Sequence, residues 1–318
     1  MIIFFLFLSP KFRIIMKKTT IAFIINPHSG TNSKKQLADV IPGYFSADSF
    51  ELKIVYTEYA GHGNKLAAEL AAAGYDVVVA CGGDGTVNEI ASALTGTGVA
   101  FGIVPLGSGN GLARHLGIPL DVDGALRVIS EMFTFDMDCG VVNSHKFFCT
   151  CGTGFDAQIS WDFSQQSTRG LLTYLKVIVA DYWNFKPQTY EMTLQDGSVK
   201  KTSAFLITFA NACQYGNDAF IAPNASVRDG LLDVSVITSL DLLSVPKFAY
   251  QLLTKGLDKN DNVEMFRVKS VKLVRPCAGP LHYDGEPGTD SENVEIKVMP
   301  AALKVVANKN RYNCQQSI

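Results

Sequence analysis

Residues 76–89 read Asp-Val-Val-Val-Ala-Cys-Gly-Gly-Asp-Gly-Thr-Val-Asn-Glu, and this stretch decides the fold. The β-branched run 77–79 is typical of a buried parallel strand, and it stops at the glycines that begin with Gly82. Glycine lets the backbone turn tightly and approach a ligand closely, and a helix-like segment, 87–94, follows. Backbone N–H groups in such a turn attract phosphate, and Asp84 adds a carboxylate there. A turn whose aspartate merely caps the helix is the alternative, so this unit alone does not establish ligand binding.

The same order of strand, turn and helix recurs on both sides of this stretch. An apolar run, 20–25, ends at Asn26-Pro27-His28-Ser29-Gly30, and another, 99–104, ends at Pro105-Leu106-Gly107-Ser108-Gly109-Asn110-Gly111. Strands that alternate with helices at short spacing predict a doubly wound parallel sheet. Ligands of such sheets lie at the carboxyl ends of the strands, where we expect the three turns to meet. Neither the P-loop pattern nor G-x-G-x-x-G is complete, which excludes a P-loop NTPase and an ordinary dinucleotide fold.

From about Phe135 the pattern changes to short alternating runs. The runs 190–195 and 200–210 flank Asp196-Gly197, which is typical of a β-hairpin. We therefore expect an α/β domain over residues 17–134, an antiparallel β-sandwich domain over 135–300, and a C-terminal segment, 301–318, that returns to the first domain. Further strands are predicted at 232–237, 263–274 and 294–298, and helices at 171–185 and 240–253.

Aromatic residues recur at helical spacing in the first of these two helices. They are either part of the core or a face that contacts the lipid or the membrane. The residues are Tyr174, Tyr182, Trp183 and Phe185.

Composition limits the possible classes of protein. The chain has 318 residues, 47% of them hydrophobic, and a net charge of −2, which provides core for two domains and argues against a nucleic-acid partner. Its seven cysteines are scattered without zinc spacing, as is typical of buried thiols in a reducing cytoplasm. The apolar run 2–8 is shorter than the ~20 residues of a membrane span and does not read as a signal peptide. We expect residues 1–16 to be a tail or a start-site artefact.

Six motifs, in their order, resemble those of the diacylglycerol kinase catalytic-domain lipid kinases, which include bacterial YegS-type kinases and sphingosine kinases. Gly-Gly-Asp-Gly alone is weak evidence, because NAD kinases and phosphofructokinases share it, but the series spans nearly all of residues 17–306. The resemblance implies a first domain similar to that of NAD kinases and phosphofructokinases, with ATP and Mg²⁺ as cofactors. The motifs are residues 26–30, 82–89, 105–110, Gly152-Thr153-Gly154-Phe155-Asp156-Ala157, Ala222-Pro223 with Asp229-Gly230-Leu231-Leu232-Asp233, and Asp284-Gly285-Glu286-Pro287.

The resemblance also implies roles for individual residues. Asp284 or Glu286 would accept the proton of the lipid hydroxyl, and Asp84 is the residue to which sphingosine-kinase relatives would assign that role. Three residues would hold a structural Mg²⁺ through oxygen ligands, namely Ser226, Asp229 and Leu231. Read without the resemblance, Asp284-Gly285 and Asp229-Gly230 are ordinary turns. The nucleotide-binding residues would be Asn26, Pro27, Ser29, Gly30, Thr57, Gly82, Gly83, Asp84, Gly85, Thr86, Val87, Asn88, Glu89, Ser108, Gly109 and Asn110.

One departure from the family pattern concerns the substrate. Many bacterial diacylglycerol kinases have Gly-Thr-x-Asn-Asp where this chain has Gly107-Ser108-Gly109-Asn110-Gly111, and Ser-Gly-Asn resembles the long-chain base kinases. We predict a cytoplasmic, ATP- and Mg²⁺-dependent lipid kinase that visits the inner membrane surface, with diacylglycerol as the first candidate substrate. The alternatives are a long-chain base kinase, an NAD kinase-like kinase of a soluble substrate, and a nucleotide or lipid sensor without catalysis. The sequence leaves a homodimer open.

Overall fold

The computed structural model of the chain describes residues 17–29, 35–166, 176–177 and 180–310. The expected tail, seven of the fifteen residues of the aromatic helix predicted at 171–185, Tyr174 among them, and the last residues of the C-terminal segment lie outside this part of the chain. Within the described residues, no helix has both the length and the apolar character that crossing a bilayer requires.

The elements alternate between strands and helices in the first half of the chain and are mostly strands in the second half. The strands are β1 (Thr19–Ile25), β2 (Phe50–Tyr56), β3 (Val77–Gly82), β4 (Ala100–Pro105), β5 (Thr134–Val142), β6 (His145–Phe147), β7 (Thr150–Gly154), β8 (Gln188–Leu194), β9 (Val199–Ala204), β10 (Leu206–Ala210), β11 (Leu232–Ile237), β12 (Val263–Val268), β13 (Ser270–Val274), β14 (Gly279–Tyr283), β15 (Glu286–Asp290) and β16 (Asn293–Val306). The helices are α1 (Lys35–Val40), α2 (His62–Ala72), α3 (Asp84–Leu94), α4 (Gly111–His115), α5 (Val122–Ser130), α6 (Phe155–Ser164) and α7 (Val245–Leu253), with 3₁₀ turns at Ile41–Tyr44 and Leu257–Lys259.

The first half confirms the predicted doubly wound sheet. Strands β2, β1, β3 and β4 pair in that order and are all parallel. Every residue of β3 and of β4 is buried, because helices cover both faces of the sheet. The β-branched residues of β3 therefore form the centre of the first core.

The second half confirms the predicted antiparallel sandwich. One sheet has the order β12-β11-β10-β7-β14-β15, and it packs against β16-β13-β8-β9. Buried side chains of both sheets form one cluster, as Phe209 of the first sheet and Met192 and Ile296 of the second illustrate. Alternation of apolar and polar residues along β8 and β13 places one face in this core.

Strand β16 belongs to both halves of the molecule. Its first part pairs antiparallel with β13 and β5, and a register shift between Met299 and Leu303 then redirects it. Val305 pairs in parallel with Phe101 of β4, so the parallel sheet continues into the antiparallel one. The two halves are therefore joined by backbone hydrogen bonds as well as by the chain.

Several predicted elements differ from the structure, and the run 200–210 is one of them, because it forms two strands, β9 and β10, in different sheets. Helix α3 begins at Asp84, three residues before the predicted start, so the glycine-rich turn supplies the first turn of the helix. The helix predicted at 240–253 begins only at Val245, because Asp241 and Ser244 close a turn in which Ser244 N donates to Asp241 Oδ1 at 2.8 Å. The strand predicted at 263–274 is two strands, β12 and β13, which lie in different sheets.

We predict that Val305→Ala lowers the free energy of unfolding by about 1–3 kcal/mol, because it removes two methyl groups from a side chain with 0% exposure. Since β16 serves both halves, urea unfolding followed by circular dichroism is expected to show one transition with a lower midpoint. Val199→Ala on β9, at a position 56% exposed, is the matched control and is expected to change little. Two separate transitions, of which only one moves, would contradict the shared role of β16.

Candidate active site

Three turns meet at the carboxyl ends of β1, β3 and β4. Asn26 Nδ2 donates to Thr86 Oγ1 at 2.9 Å, and Leu106 N donates to Gly82 O at 2.8 Å. Gly83 and Gly107 lie backbone to backbone, since a Cβ on Gly107 would be 2.7 Å from Gly83 Cα. Glycine at these positions is therefore required for the two turns to approach one another.

Asp84 ties these turns together. Its carboxylate accepts hydrogen bonds from Asn110 N through Oδ2 and from Gly111 N through Oδ1, both at 2.9 Å. Helix α3 begins at Asp84, and no described side chain caps the N-terminus at Gly83. The backbone N–H groups at this end of α3 carry the partial positive charge that attracts an anion.

The turn 107–111 is held by hydrogen bonds from its own Asn110 and from Arg114 of helix α4. Asn110 has left-handed backbone angles, and its side chain accepts from Gly107 N at 3.0 Å and donates to Gly107 O at 2.8 Å. Arg114 Nε donates to Gly109 O at 3.1 Å, while its Nη1 pairs with Asp218 Oδ2 at 2.9 Å. Arg114 therefore clamps the turn to the second domain.

Two of the predicted nucleotide residues use their side chains to join elements. Glu89 accepts from Gly61 N at 2.7 Å and from Gly63 N at 3.1 Å, so its carboxylate lies at the N-terminus of α2. Asn88 Nδ2 donates to Asp284 Oδ2 at 2.8 Å, which links α3 to the second domain.

Asp284 lies between β14 and β15 with a left-handed φ of 51°. Its carboxylate accepts hydrogen bonds from Asn88 Nδ2 and from three consecutive backbone N–H groups, of Phe148 at 2.9 Å, Cys149 at 2.7 Å and Thr150 at 3.1 Å. Burial raises the pKa of Asp284, and the four donors oppose that rise. Each oxygen therefore already has two protein donors.

Glu286 lies two residues further, at the start of β15, and is exposed. A Cβ on Gly85 would be 2.7 Å from Glu286 Oε1, so this side chain reaches the first turn of α3. Glu286 and Gly85 both line a cavity of about 510 Å³ between the two halves of the molecule. Its other lining residues include Asn26, His28, Thr57, Tyr59, Thr86, Asn88, Glu89 and Tyr283.

Residues of the motif 152–157 support β14, the strand that leads directly to Asp284 and Glu286. Asp156 Oδ2 accepts from Tyr215 OH and lies within hydrogen-bonding distance of His282 Nε2, both at 2.9 Å. A Cβ on Gly152 would be 2.4 Å from that His282 nitrogen, so glycine makes room for the ring. His282 is in β14, and the network therefore fixes β14 two residues before Asp284.

The predicted metal-binding turn offers oxygen donors and also contacts Arg267. Asp229 Oδ1 accepts from Leu231 N at 3.1 Å, and its Oδ2 lies 3.8 Å from Arg267 Nη1. Ser226 Oγ accepts from Arg228 N at 3.3 Å. Asp233 Oδ1 accepts from Arg267 Nε at 3.2 Å, whereas Asp233 Oδ2 is buried without a hydrogen-bond partner among the described residues, and burial raises the pKa of Asp233. An unpartnered carboxylate oxygen beside Asp229 fits a hard divalent cation at this turn.

Within the described residues, no group of three or more His, Cys, Asp and Glu side chains could hold a metal ion. A site at this turn would therefore depend on hydroxyl and carbonyl oxygens as well as carboxylates. Asp138, which the sequence reasoning did not single out, holds the turn in place. Its carboxylate accepts from Gly230 N and Ala301 N, both at 2.7 Å. An aspartate directly before the run Cys139-Gly140-Val141-Val142 was the signal that could have identified it.

The remaining predicted residues differ in their surroundings. Ser29 Oγ donates to Asn26 O at 3.0 Å, and Ser108 is exposed on its turn. Val87 is 8% exposed and packs in the first core, so only its backbone is available to a ligand. Gly30 lies outside the described residues.

Two family models match the chain. The model described as the diacylglycerol kinase catalytic domain matches residues 20–142, and the YegS C-terminal NAD kinase beta sandwich-like domain matches residues 149–307. Together they cover the elements that form the cavity.

Named relatives and solved structures agree with these matches. A Chromohalobacter salexigens protein named "Probable lipid kinase YegS-like" is 34% identical over 263 residues, which are 80% of this chain and 84% of that protein. A diacylglycerol kinase of Mycobacterium tuberculosis is 28% identical over 248 residues, 76% of this chain and 80% of that one. The crystal structure of a diacylglycerol kinase from Bacillus anthracis has a TM-score of 0.73 at 20% identity, covering 93% of this chain and 99% of that one, and this likeness concerns the fold.

We predict that Asp284→Asn lowers the free energy of unfolding by about 1–3 kcal/mol, because an amide NH₂ would face N–H donors that the carboxylate now accepts from. Thermal unfolding followed by circular dichroism measures the effect. Asp258→Asn, at an exposed position, is the matched control. An Asp284→Asn protein as stable as the wild type would show that the four hydrogen bonds contribute little to stability.

Proposed function

Because the chain belongs to the diacylglycerol kinase catalytic-domain family with a YegS-type second domain, we propose that it transfers the γ-phosphoryl group of ATP to a lipid hydroxyl, with diacylglycerol as the first candidate. One observation carries the proposal. Glu286, on the second domain, reaches the first turn of α3 at Gly85, so a carboxylate lies beside an anion-attracting helix end.

The first turn of α3 would bind the phosphates of ATP. Its N–H groups and the helix dipole favour negative charge, and glycine at 83 and 85 lets a phosphate approach the backbone. Asn26 and Thr57 line the same cavity at the ends of β1 and β2, where they would contact the nucleoside. When bound with the nucleotide, Mg²⁺ would neutralise phosphate charge.

Of the three carboxylates that the sequence leaves open as the base, the geometry favours Glu286. Asp84 accepts two backbone hydrogen bonds, and Asp284 accepts three from the backbone and one from the Asn88 side chain, so both carboxylates have structural uses. A base must reach the hydroxyl proton of the substrate, and Glu286, which is exposed, is the one of the three carboxylates that lines the cavity. Asp284 would then position the hairpin from which Glu286 extends.

In the proposed reaction, Glu286 accepts the hydroxyl proton as the lipid oxygen forms a bond to the γ-phosphorus. The bond between that phosphorus and the oxygen bridging to the β-phosphate breaks, and ADP leaves with its electron pair. The N–H groups of α3 meet the charge that develops on the transferred group.

Packing explains why this chain has glycine at position 111, where many bacterial diacylglycerol kinases have aspartate. A Cβ on Gly111 would be 3.1 Å from Tyr215 O and 3.3 Å from Cys149 Sγ, so an aspartate side chain would have to displace its neighbours. The Ser108-Gly109-Asn110 sequence keeps a long-chain base as the second candidate acceptor. Diacylglycerol stays the first candidate acceptor because a relative of this chain is named diacylglycerol kinase.

We predict that purified protein labels diacylglycerol in mixed micelles with radiolabelled ATP and Mg²⁺, and that Glu286→Gln lowers kcat by about 10²-fold or more, because a general base contributes about 10²–10⁴-fold. Gly85→Ala is expected to lower kcat as well, since its Cβ would displace Glu286 Oε1, yet to leave the melting temperature near that of the wild type. Sphinganine, monoacylglycerol and phosphatidylglycerol are offered in parallel.

Glu264→Gln, at an exposed position on β12, is the matched control for the charge change. Full activity in Glu286→Gln would reject Glu286 as the base. Label on none of the lipids, with ATP still bound, would return the function to the soluble-substrate or sensor alternatives.

We also propose that the turn of Ser226, Asp229 and Leu231 holds a structural Mg²⁺. At tenfold excess over its Kd, Mg²⁺ is then expected to stabilise the wild type by about 1.4 kcal/mol and to raise its melting temperature. Asp229→Asn should remove this shift, whereas Asp258→Asn should keep it. The measurement is thermal unfolding without nucleotide in MgCl₂ against NaCl of equal ionic strength. An equal shift in Asp229→Asn would place the responsible cation elsewhere.

A further inference from the structure

The turn before α7 and the outer side of α7 expose four large apolar side chains. Leu243 is 92% exposed and Tyr250 69%, and Leu242 and Leu253 are also more than half exposed. We call these four residues the α7 face. Single exposed apolar residues are common, but four within twelve positions of one amphipathic element indicate a surface that is covered in use.

The exposure follows from how α7 packs. Phe248 and Leu252, four positions apart, contact a cluster of buried residues that includes Phe155 and Leu257. Tyr250 and Leu253 extend from the opposite side of the helix, and none of the residues of α7 is buried. The inner side alone therefore attaches α7 to the domain.

Trp183 adds an aromatic residue next to this surface. Tyr182 OH donates to Leu240 O at 2.8 Å, which brings the chain around Trp183 to the segment that leads into α7. Trp183 is 68% exposed. Tryptophan and tyrosine are enriched where protein meets the headgroup region of a bilayer.

Two exposed lysines, Lys247 and Lys255, flank the α7 face. Asp241 accepts the Ser244 N–H of its own turn, and the charges that follow the helix, Asp258, Lys259 and Asp261, add one net negative charge. Apolar and aromatic residues with flanking lysines form the pattern of a helix that lies in the interface of a membrane with anionic lipids.

The α7 face is also connected to the candidate active site. The cluster under α7 contains Phe155 and Ile159 of α6. Helix α6 in turn packs against β14 and β15, the hairpin that presents Glu286. A surface bound through α7 would therefore lie on the same domain as the carboxylate that acts on the acceptor.

We propose that the α7 face inserts into the headgroup region of a bilayer that contains anionic lipids and thereby docks the protein at its lipid substrate. This inference rests on the proposed function, since a kinase of water-soluble acceptors would not need the surface. A second copy of the chain is the competing occupant. The exposed Trp183 and Tyr250, together with the two lysines that flank the apolar residues, favour the bilayer over it.

The test is sedimentation of the full chain with vesicles of phosphatidylcholine alone or of phosphatidylcholine with phosphatidylglycerol. We expect the wild type to bind the anionic vesicles and salt to weaken that binding. In Leu243→Glu and in Tyr250→Glu we expect binding to weaken by about tenfold or more, because each variant places a charge where an apolar side chain would be buried. Val199→Glu, at an exposed apolar position on β9, is the matched control and should bind as the wild type does.

Trp183 supplies a second readout. The chain has two tryptophans, so Trp161→Phe leaves Trp183 as the single tryptophan, which can be excited selectively at long wavelength. Its emission is expected to shift to shorter wavelength with anionic vesicles and to be quenched by brominated lipid. An unchanged emission, with the vesicles bound, would place the contact elsewhere.

Three results would overturn the inference. One is equal sedimentation of wild type and Leu243→Glu. Another is binding that Leu243→Glu keeps but removal of residues 1–15 abolishes. The third is a wild-type dimer that Leu243→Glu dissociates, measured by light scattering, which would assign the face to a second copy.

Kinase activity on a short-chain diacylglycerol dispersed in water separates this inference from the proposed function. If the inference fails alone, wild type and Leu243→Glu have equal activity both on that substrate and on vesicles. If the proposed function fails, neither protein transfers phosphate to any lipid, while vesicle binding is still measurable. If both hold, Leu243→Glu loses activity only on vesicles.

Discussion

The Asp284 carboxylate, with its hydrogen bonds from Asn88 and from the backbone of residues 148–150, is the interaction on which the site depends. It joins α3 of the first domain to the start of β7 and to the β14–β15 hairpin of the second domain. An ionised carboxylate in a buried position is costly unless its oxygens have donors, and here both are fully used. The same hydrogen bonds set where the hairpin begins, and therefore where Glu286 extends into the cavity.

A second constraint is the lack of side chains where the glycine-rich turns touch. The backbones at Gly83 and Gly107 approach so closely that a methyl group on Gly107 would meet the opposite Cα. Asp84 then crosses the contact to the amides of residues 110 and 111. Close packing of the two turns and phosphate binding both require a backbone without side chains at these positions. The two explanations that a single glycine-rich turn leaves open are therefore compatible in this protein.

The division of the molecule into two domains is less complete than the change of sequence pattern indicates. Strand β16 pairs with β13 and β5 and then with β4, so one sheet runs through both halves. The register shift after Met299 allows this, because it turns the strand between antiparallel and parallel neighbours. A cavity whose walls come from both halves is thereby held in one geometry. The α7 face, in contrast, lies on an element attached by one side only, as suits a surface that meets a partner.

The sequence by itself determined the α/β and antiparallel halves and the turns at the ends of β1, β3 and β4, because strand and helix periodicity and glycine conformation are local properties. It also identified Asp84, Asp284 and Glu286 as the carboxylates of interest, through the resemblance to a kinase family. It could not distinguish their roles, since that depends on which N–H groups surround each carboxylate, and those of residues 148–150 are more than 130 positions from Asp284. The early start of α3, the clamp by Arg114 and the support of β14 by Asp156 and His282 were likewise decided by tertiary structure, because hydrogen-bond partners brought together by the sheets leave no periodic signal in the chain.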